Sequence, residues 1–166
     1  FIDSSPSFWN MGIYIIRMTM PAGAFSLLTV YRPSSARGTA TFYDELAAVL
    51  ELLVLQSCPV VLGGDLNIHM HDPGDQNAVR LTGLLDSFGM KQHIPSPTHR
   101  HRGTLDLLVT FANYELSSID VEPPVISDHS IVSCRLPLNG GPAPRRYRTV
   151  RSWRSVNCEV LCEAIS

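Results

Sequence analysis

The chain has no uninterrupted apolar run near the ~20 residues that a membrane-spanning helix needs, and its first residues lack the basic segment, apolar stretch and small-residue cleavage site of a targeting peptide. We therefore expect neither a membrane partner nor a leader in this sequence. Charge of one sign is also missing: the 166 residues carry a formal net charge of −2, with 45% hydrophobic and 17% charged residues. That balance suits a globular protein and argues against a disordered or fibrous chain, and in bulk it gives no hint of nucleic acid. Cysteine is scarce too. Cys58, Cys134, Cys158 and Cys162 form neither a disulfide framework nor paired Cys-x-x-Cys elements, which favours reduced thiols in an intracellular compartment. Cys158 and Cys162 lie four apart with no His or Cys cluster nearby, so they read as two thiols on a helical face and not as a zinc site.

The length fits one domain with a real hydrophobic core. Met11 to Met18 and Ala24 to Tyr31 read as strands around a Pro21-Ala22-Gly23 turn, which predicts a hairpin. Pro33 then stops strand formation. Thr39 or Thr41 can cap a helix running to about Gln56, with Phe42, Leu46, Val49, Leu50 and Leu53 on one face. Pro59 to Leu62 is the pattern of a buried strand opening into a loop at Gly63-Gly64. Gln76 to Phe88 is a second amphipathic helix, using Val79, Leu81, Leu84, Leu85 and Phe88, with Gly89 as its C-cap. Leu105 to Thr110, Leu116 to Val121 and Ile131 to Leu136 read as further strands. The Asn139-Gly140-Gly141-Pro142-Ala143-Pro144 stretch reads as a linker, which divides the chain into a domain over 1–138 and the start of a following region over 139–166. Strands mixed with two helices argue for an α/β or α+β sandwich.

Three polar clusters sit at the edges of apolar strands: Asp65 with Asn67, Thr104 with Asp106, and Ser127-Asp128-His129. Strand ends hold side chains rigidly while adjoining loops admit a ligand, so such ends can together form a preorganised site. Phosphodiester cleavage requires a deprotonated water, stabilisation of a pentacoordinate phosphate, and help for the leaving oxygen, commonly from a hard cation held by carboxylates. Asp65, Asp106 and Asp128 supply carboxylates, His129 can exchange a proton, and Asn67 can orient the nucleophile. Each cluster has a plainer reading: Gly-Asp-x-Asn as an Asx turn, Ser-Asp-His as a turn or cap, Tyr31 as a strand aromatic. Asp106 inside an apolar strand needs a partner, because an unpaired carboxylate there would cost several kcal/mol. His129 is the natural candidate.

Gly63-Gly64-Asp65-Leu66-Asn67 resembles the Gly-Asp-Phe/Leu-Asn signature of the endonuclease/exonuclease/phosphatase superfamily. Ser127-Asp128-His129 followed by Ile131-Val132 is similar to its terminal Ser-Asp-His motif, and Gly103 to Val109 resembles its Ile/Leu-Asp strand. Tyr31-Arg32-Pro33 is similar to its Tyr-Arg/Asn-Pro segment. The order and spacing match over about Gly12 to Pro137. The resemblance implies a two-sheet α/β sandwich of the deoxyribonuclease I-like type and a Mg²⁺- or Mn²⁺-dependent phosphodiesterase. In it Asp65 serves the attacking water or the leaving group, Asn67 orients the nucleophile, Asp106 and His129 form a carboxylate–imidazole pair, Asp128 binds the metal, and Tyr31 contacts the phosphate. The superfamily also places a metal-binding Glu and a phosphate-contacting Asn on early strands. Neither stands in matching context before Gly12, so we expect the amino-terminal part of the fold, with a principal metal ligand, to be missing here.

Two features draw the resemblance toward the DNA-nicking domain of a non-LTR retrotransposon. Tyr31 and His129 are compactly spaced, and the stretch from Arg145 to Arg154 is similar to the linker that joins such domains to a reverse transcriptase. DNA as substrate, fusion to a reverse transcriptase and a nuclear location are what this likeness implies. Arg32, His99, Arg100 and Arg102 are then candidate DNA contacts, against the plainer reading of the 99–102 run as a solvated loop. His69 and His71 read as loop residues and not as a metal cluster. A phosphatase acting on phosphoinositides or small phosphoesters, and an inactive remnant serving as a binding module, are the competing readings.

Overall fold

The computed structural model describes residues 11–35, 40–56 and 58–138. Elements follow in the order β1 (Gly12–Met20), β2 (Gly23–Tyr31), α1 (Ala40–Val54), β3 (Val60–Asp65), α2 (Gln76–Ser87), β4 (Met90–Gln92), β5 (Asp106–Phe111), β6 (Ser117–Glu122) and β7 (Ile131–Arg135). β1 and β2 are the expected hairpin, paired from Gly12 opposite Tyr31 to Met20 opposite Gly23, so Pro21 and Ala22 alone make the turn. α1 carries the chain back so that β3 lies parallel to β2. β5 pairs antiparallel with β3 and β4 with β5, giving a five-stranded sheet ordered β1-β2-β3-β5-β4. β6 and β7 form a separate two-stranded sheet.

The central strands are covered on both faces, so alternate residues enter two different cores. Leu28, Val30, Val60, Leu62, Leu107 and Val109 pack with Phe42, Leu46, Val49, Leu50 and Leu53 of α1 and with Leu81 and Leu85 of α2. On the opposite face Phe25, Val61 and Leu108 meet Ile119, Val121, Val132 and Cys134 of the small sheet. Each large apolar side chain removed from water contributes about 2 kcal/mol, so α1 is held chiefly by the sheet it covers and not by its own helicity. The layers are helices, large sheet and small sheet, the α/β sandwich expected. The small sheet covers only part of its side: Tyr14, Ile16 and Met18 of β1 stand exposed there. Among the described residues no helix is long and apolar enough to cross a membrane.

Several elements depart from expectation. β3 does not stop at Leu62 but continues through Gly63-Gly64 to Asp65, because β5 supplies backbone partners as far as Asp106. Asp65 therefore projects from a strand and not from a loop. Val79 is exposed, since the buried stripe of α2 runs through Ala78, Leu81 and Leu85, and Val79 lies a further turn-fraction around the helix. The short edge strand β4 has too few residues to show alternation. Thr41 lies inside α1, while Thr39, the linker from Asn139 onward, the arginine-rich stretch, Cys158 and Cys162 fall outside the described residues.

Gly64 marks the tightest point of the large sheet. Its φ is +147°, and a Cβ there would run into the Val30 carbonyl of β2. Gly64→Ala combines a strained backbone with overpacking, so a loss of about 3 kcal/mol in unfolding free energy is expected. Urea denaturation checks this; an unchanged midpoint would contradict the close approach.

Candidate active site

β3 and β5 end side by side, with Asp65 directly opposite Asp106. The Arg32 backbone N–H donates to the Asp65 carbonyl at 2.9 Å, extending the β2–β3 ladder to the same level. Tyr31, Asp65 and Asp106 thus reach one rim on three neighbouring strands, all in the alternation set of Phe25, Val61 and Leu108 that faces the small sheet. Tyr31 is 52% exposed there.

Beyond Asp65 the backbone turns at Asn67, whose φ is +48°. The Asn67 N–H donates to Asp65 Oδ1 at 3.0 Å, so the Asx-turn reading of Gly-Asp-x-Asn is realised as well. Asn67 Nδ2 donates to Asp65 Oδ2 at 2.9 Å and to the Arg32 carbonyl at 2.9 Å. Both amide protons are thereby used, one on the Asp65 carboxylate and one on the Arg32 backbone. Arg32 is 4% exposed and donates from Nη1 to the carbonyls of Leu66 and Asn67 at 3.0 and 3.1 Å, with its guanidinium over the Phe42 ring. This arginine braces the Asp65 loop from within.

His129 arrives from the loop between β6 and β7. Its Nδ1 lies 2.9 Å from Asp106 Oδ2 and its Nε2 3.9 Å from Asp65 Oδ2. The partner expected for Asp106 is therefore in place, and the other ring nitrogen of His129 faces the second carboxylate. Ser127 Oγ accepts the His129 N–H at 3.1 Å and shapes the turn. A backbone bridge joins His99 to His129, flanked by Arg100 N–H to the Asp128 carbonyl at 2.8 Å and Ser130 N–H to the Thr98 carbonyl at 2.7 Å. His99 Nε2 stands 3.3 Å from Asp128 Oδ2, and its ring meets that of His129 at 5.0 Å, edge to face. Arg100 and Arg102 are exposed on the hairpin tip beside the site, with Arg100 Nη2 donating to the Ser127 carbonyl at 3.2 Å. His69 and His71 are exposed, and His71 Nδ1 accepts from the Thr104 N–H at 3.2 Å.

Thr98 is a residue that sequence reasoning missed. Fully buried, its hydroxyl accepts from the Leu105 and Asp106 N–H groups at 3.1 and 3.0 Å and so fixes where Asp106 begins its strand. No local pattern marks it, because the contact spans a loop whose course only the fold defines.

The electrostatics follow from these contacts. Burial raises the Asp65 pKa, opposed chiefly by the Asn67 N–H. The hydrogen bond to Asp106 raises that of His129 against a smaller opposing effect of burial. Asp128 is held below the usual carboxylate range by its own backbone N–H and then by His99. Among the described residues, two sets of side chains bring candidate ligand atoms within 4.8 Å of one another: His99, Asp128 and His129, and Asp65, Asp106 and His129. A hard divalent ion prefers carboxylate oxygen, phosphate and water. Oxygens of Asp65 and Asp106 are already bound by Asn67 and His129, whereas the Asp128 carboxylate is 60% exposed and fits such an ion best.

Comparison with known proteins agrees with this architecture. The family described as endonuclease-reverse transcriptase matches residues 25–133. Among solved structures, the endonuclease domain of TRAS1, a telomere-specific non-LTR retrotransposon, is 18% identical with a TM-score of 0.64, covering 78% of this chain and 63% of that one. An endonuclease/exonuclease/phosphatase family protein from Leptotrichia buccalis is 14% identical with a TM-score of 0.59, covering 75% and 53%. The 3′ phosphatase NExo from Neisseria, bound to a product DNA hairpin, is 17% identical with a TM-score of 0.53, covering 74% and 64%. At such identities the likeness is one of fold, and the chain spans less than two thirds of each of these solved chains. No curated protein sequence matches the chain.

The His129–Asp106 pair predicts a pH dependence of stability. Because the folded His129 pKa lies above the ordinary 6.5, the pair's contribution is full below that value and is lost as pH rises through the folded pKa. Asp106→Asn should lower the imidazole titration point in NMR, and the stability gap between variant and parent should be wider near pH ~5.5 than near pH ~8.5. An imidazole that titrates identically in both proteins would contradict the pairing.

Proposed function

Because the chain belongs to the endonuclease-reverse transcriptase family, we propose that it supplies the phosphate-cleaving face of a metal-dependent DNA endonuclease, one that nicks target DNA for a reverse transcriptase in the same polyprotein. The observation that best supports this is His129 standing between two strand-end carboxylates, bonded to Asp106 through Nδ1 at 2.9 Å and with Nε2 3.9 Å from Asp65. A nuclear site of action goes with this reading.

Each group then has a role set by its surroundings. Asp106 fixes the His129 tautomer with the proton on Nδ1 and favours the imidazolium, whose Nε2–H can donate to a phosphoryl oxygen as negative charge develops there. Asp65, held by Asn67 with its pKa raised toward that of a useful base, accepts the proton of the attacking water. Water oxygen bonds to phosphorus while the bond from phosphorus to one deoxyribose oxygen breaks, and that oxygen takes up a proton. Tyr31, exposed on the same rim, would contact the phosphate, and the exposed Arg100 and Arg102 would contact the DNA backbone. Asp128 would hold Mg²⁺ or Mn²⁺, which when bound supplies charge neutralisation at the phosphate and the leaving oxygen.

In the full-length protein His129→Ala should cut the rate of supercoiled-plasmid nicking by about 10³-fold, and chelation of divalent ions should abolish it. Release of inorganic phosphate from small phosphoesters with no DNA nicking would replace this reading with the phosphatase one; full nicking by the variant would remove His129 from the chemistry.

A further inference from the structure

We propose that His99 is a positioning residue of this site, holding the Asp128 carboxylate through its ring Nε2 and bracing the His129 ring by an edge-to-face contact. The inference rests on the endonuclease reading above and reassigns His99 from a DNA-backbone contact to a support.

The backbone holds His99 firmly. Its N–H and that of Thr98 both donate to the Gly103 carbonyl, at 3.0 and 2.9 Å, and its own carbonyl accepts from the Arg102 N–H at 2.8 Å, in a turn that Arg102 closes with φ +64°. The bridge to His129 then locks this turn to the Ser-Asp-His segment. The imidazole is turned inward, with only 14% of its side chain exposed, a poor placement for meeting a duplex.

Its tautomer follows from its neighbours. The His101 N–H donates to His99 Nδ1 at 3.3 Å, so Nδ1 is the acceptor and the ring proton sits on Nε2. That proton faces Asp128 Oδ2. The Asp128 side chain is 60% exposed and held besides only by its own backbone N–H, so a second donor on its carboxylate narrows the rotamers it can adopt. The edge-to-face contact at 5.0 Å also restricts the His129 ring, whose Nδ1 Asp106 already holds. His129 is thus restrained by Asp106 and His99, and Asp128 by its own backbone N–H and His99, a residue that need not touch the substrate.

Two substitutions separate these functions. His99→Phe keeps a ring against His129 but removes the Nε2 proton, and His99→Gln returns an amide N–H near the Nε2 position. In the full-length protein, binding of Mn²⁺ alone, followed by electron paramagnetic resonance without DNA, should weaken about 10- to 100-fold in His99→Phe and recover in His99→Gln. Nicking kcat should fall in the Phe variant with KM for DNA unchanged, and long-range proton–nitrogen NMR should place the His99 proton on Nε2. Unaltered Mn²⁺ binding in His99→Phe, a change confined to KM, or a proton on Nδ1 would overturn the inference. Asp128→Asn run alongside tells the two readings apart: if that change affects neither Mn²⁺ binding nor nicking, the endonuclease reading fails and takes this inference with it; if it affects both while His99→Phe affects neither, only the His99 inference fails.

Discussion

Two carboxylates placed opposite one another by antiparallel strand pairing are an electrostatic problem, and much of this structure can be understood as its solution. Asp65 and Asp106 cannot separate without unzipping β3 from β5, which are the central strands of the large sheet. Each negative charge raises the cost of the other in a half-buried setting, so a cationic or donating group must join them. His129 does so against Asp106, and Asn67 does so against Asp65. The repulsion that would destabilise an ordinary sheet end is thereby converted into a basic imidazole and a poised carboxylate on a rigid edge.

That rigidity is delivered by backbone far from the charges. β2 and β3 approach so closely at Val30 and Gly64 that no side chain fits between them, and buried Arg32 ties the following loop back to the same strands. Thr98 does the equivalent for β5 through two backbone N–H groups. The Ser-Asp-His segment comes from the loop between the strands of the small sheet, and its bridge to His99 attaches it to the loop leading into β5. Site geometry is therefore coupled to the packing of both sheets, because a shift of the small sheet would carry Asp128 and His129 with it.

The parts of the fold that were legible in the sequence are those governed by short-range pattern. The hairpin, the buried face of α1 and the span of α2 follow from periodicity and turn residues. The pairing of Asp106 with His129 was accessible by a different logic, since a carboxylate in an apolar strand demands a partner and few are available. What escaped was decided by neighbours distant in sequence. β3 is prolonged through two glycines only because β5 lies beside it, β4 exists only as an edge for β5, and the inward orientations of Arg32 and His99 depend on surfaces that later segments create. Arginine and histidine look like surface residues in a sequence until a fold encloses them.

Asn67 joins backbone and chemistry in one residue, and this has a consequence for how the position can vary. Its left-handed conformation is tolerated by asparagine and glycine but disfavoured for most other side chains, while its amide supplies one donor that orients Asp65 and one that holds the Arg32 carbonyl. Glycine would keep the bend and lose the donors, aspartate would add a third negative charge to a crowded rim, and alanine would fail on both counts. The neutral routes by which a sequence ordinarily drifts are closed there, so geometry and reactivity at this corner can only be inherited together.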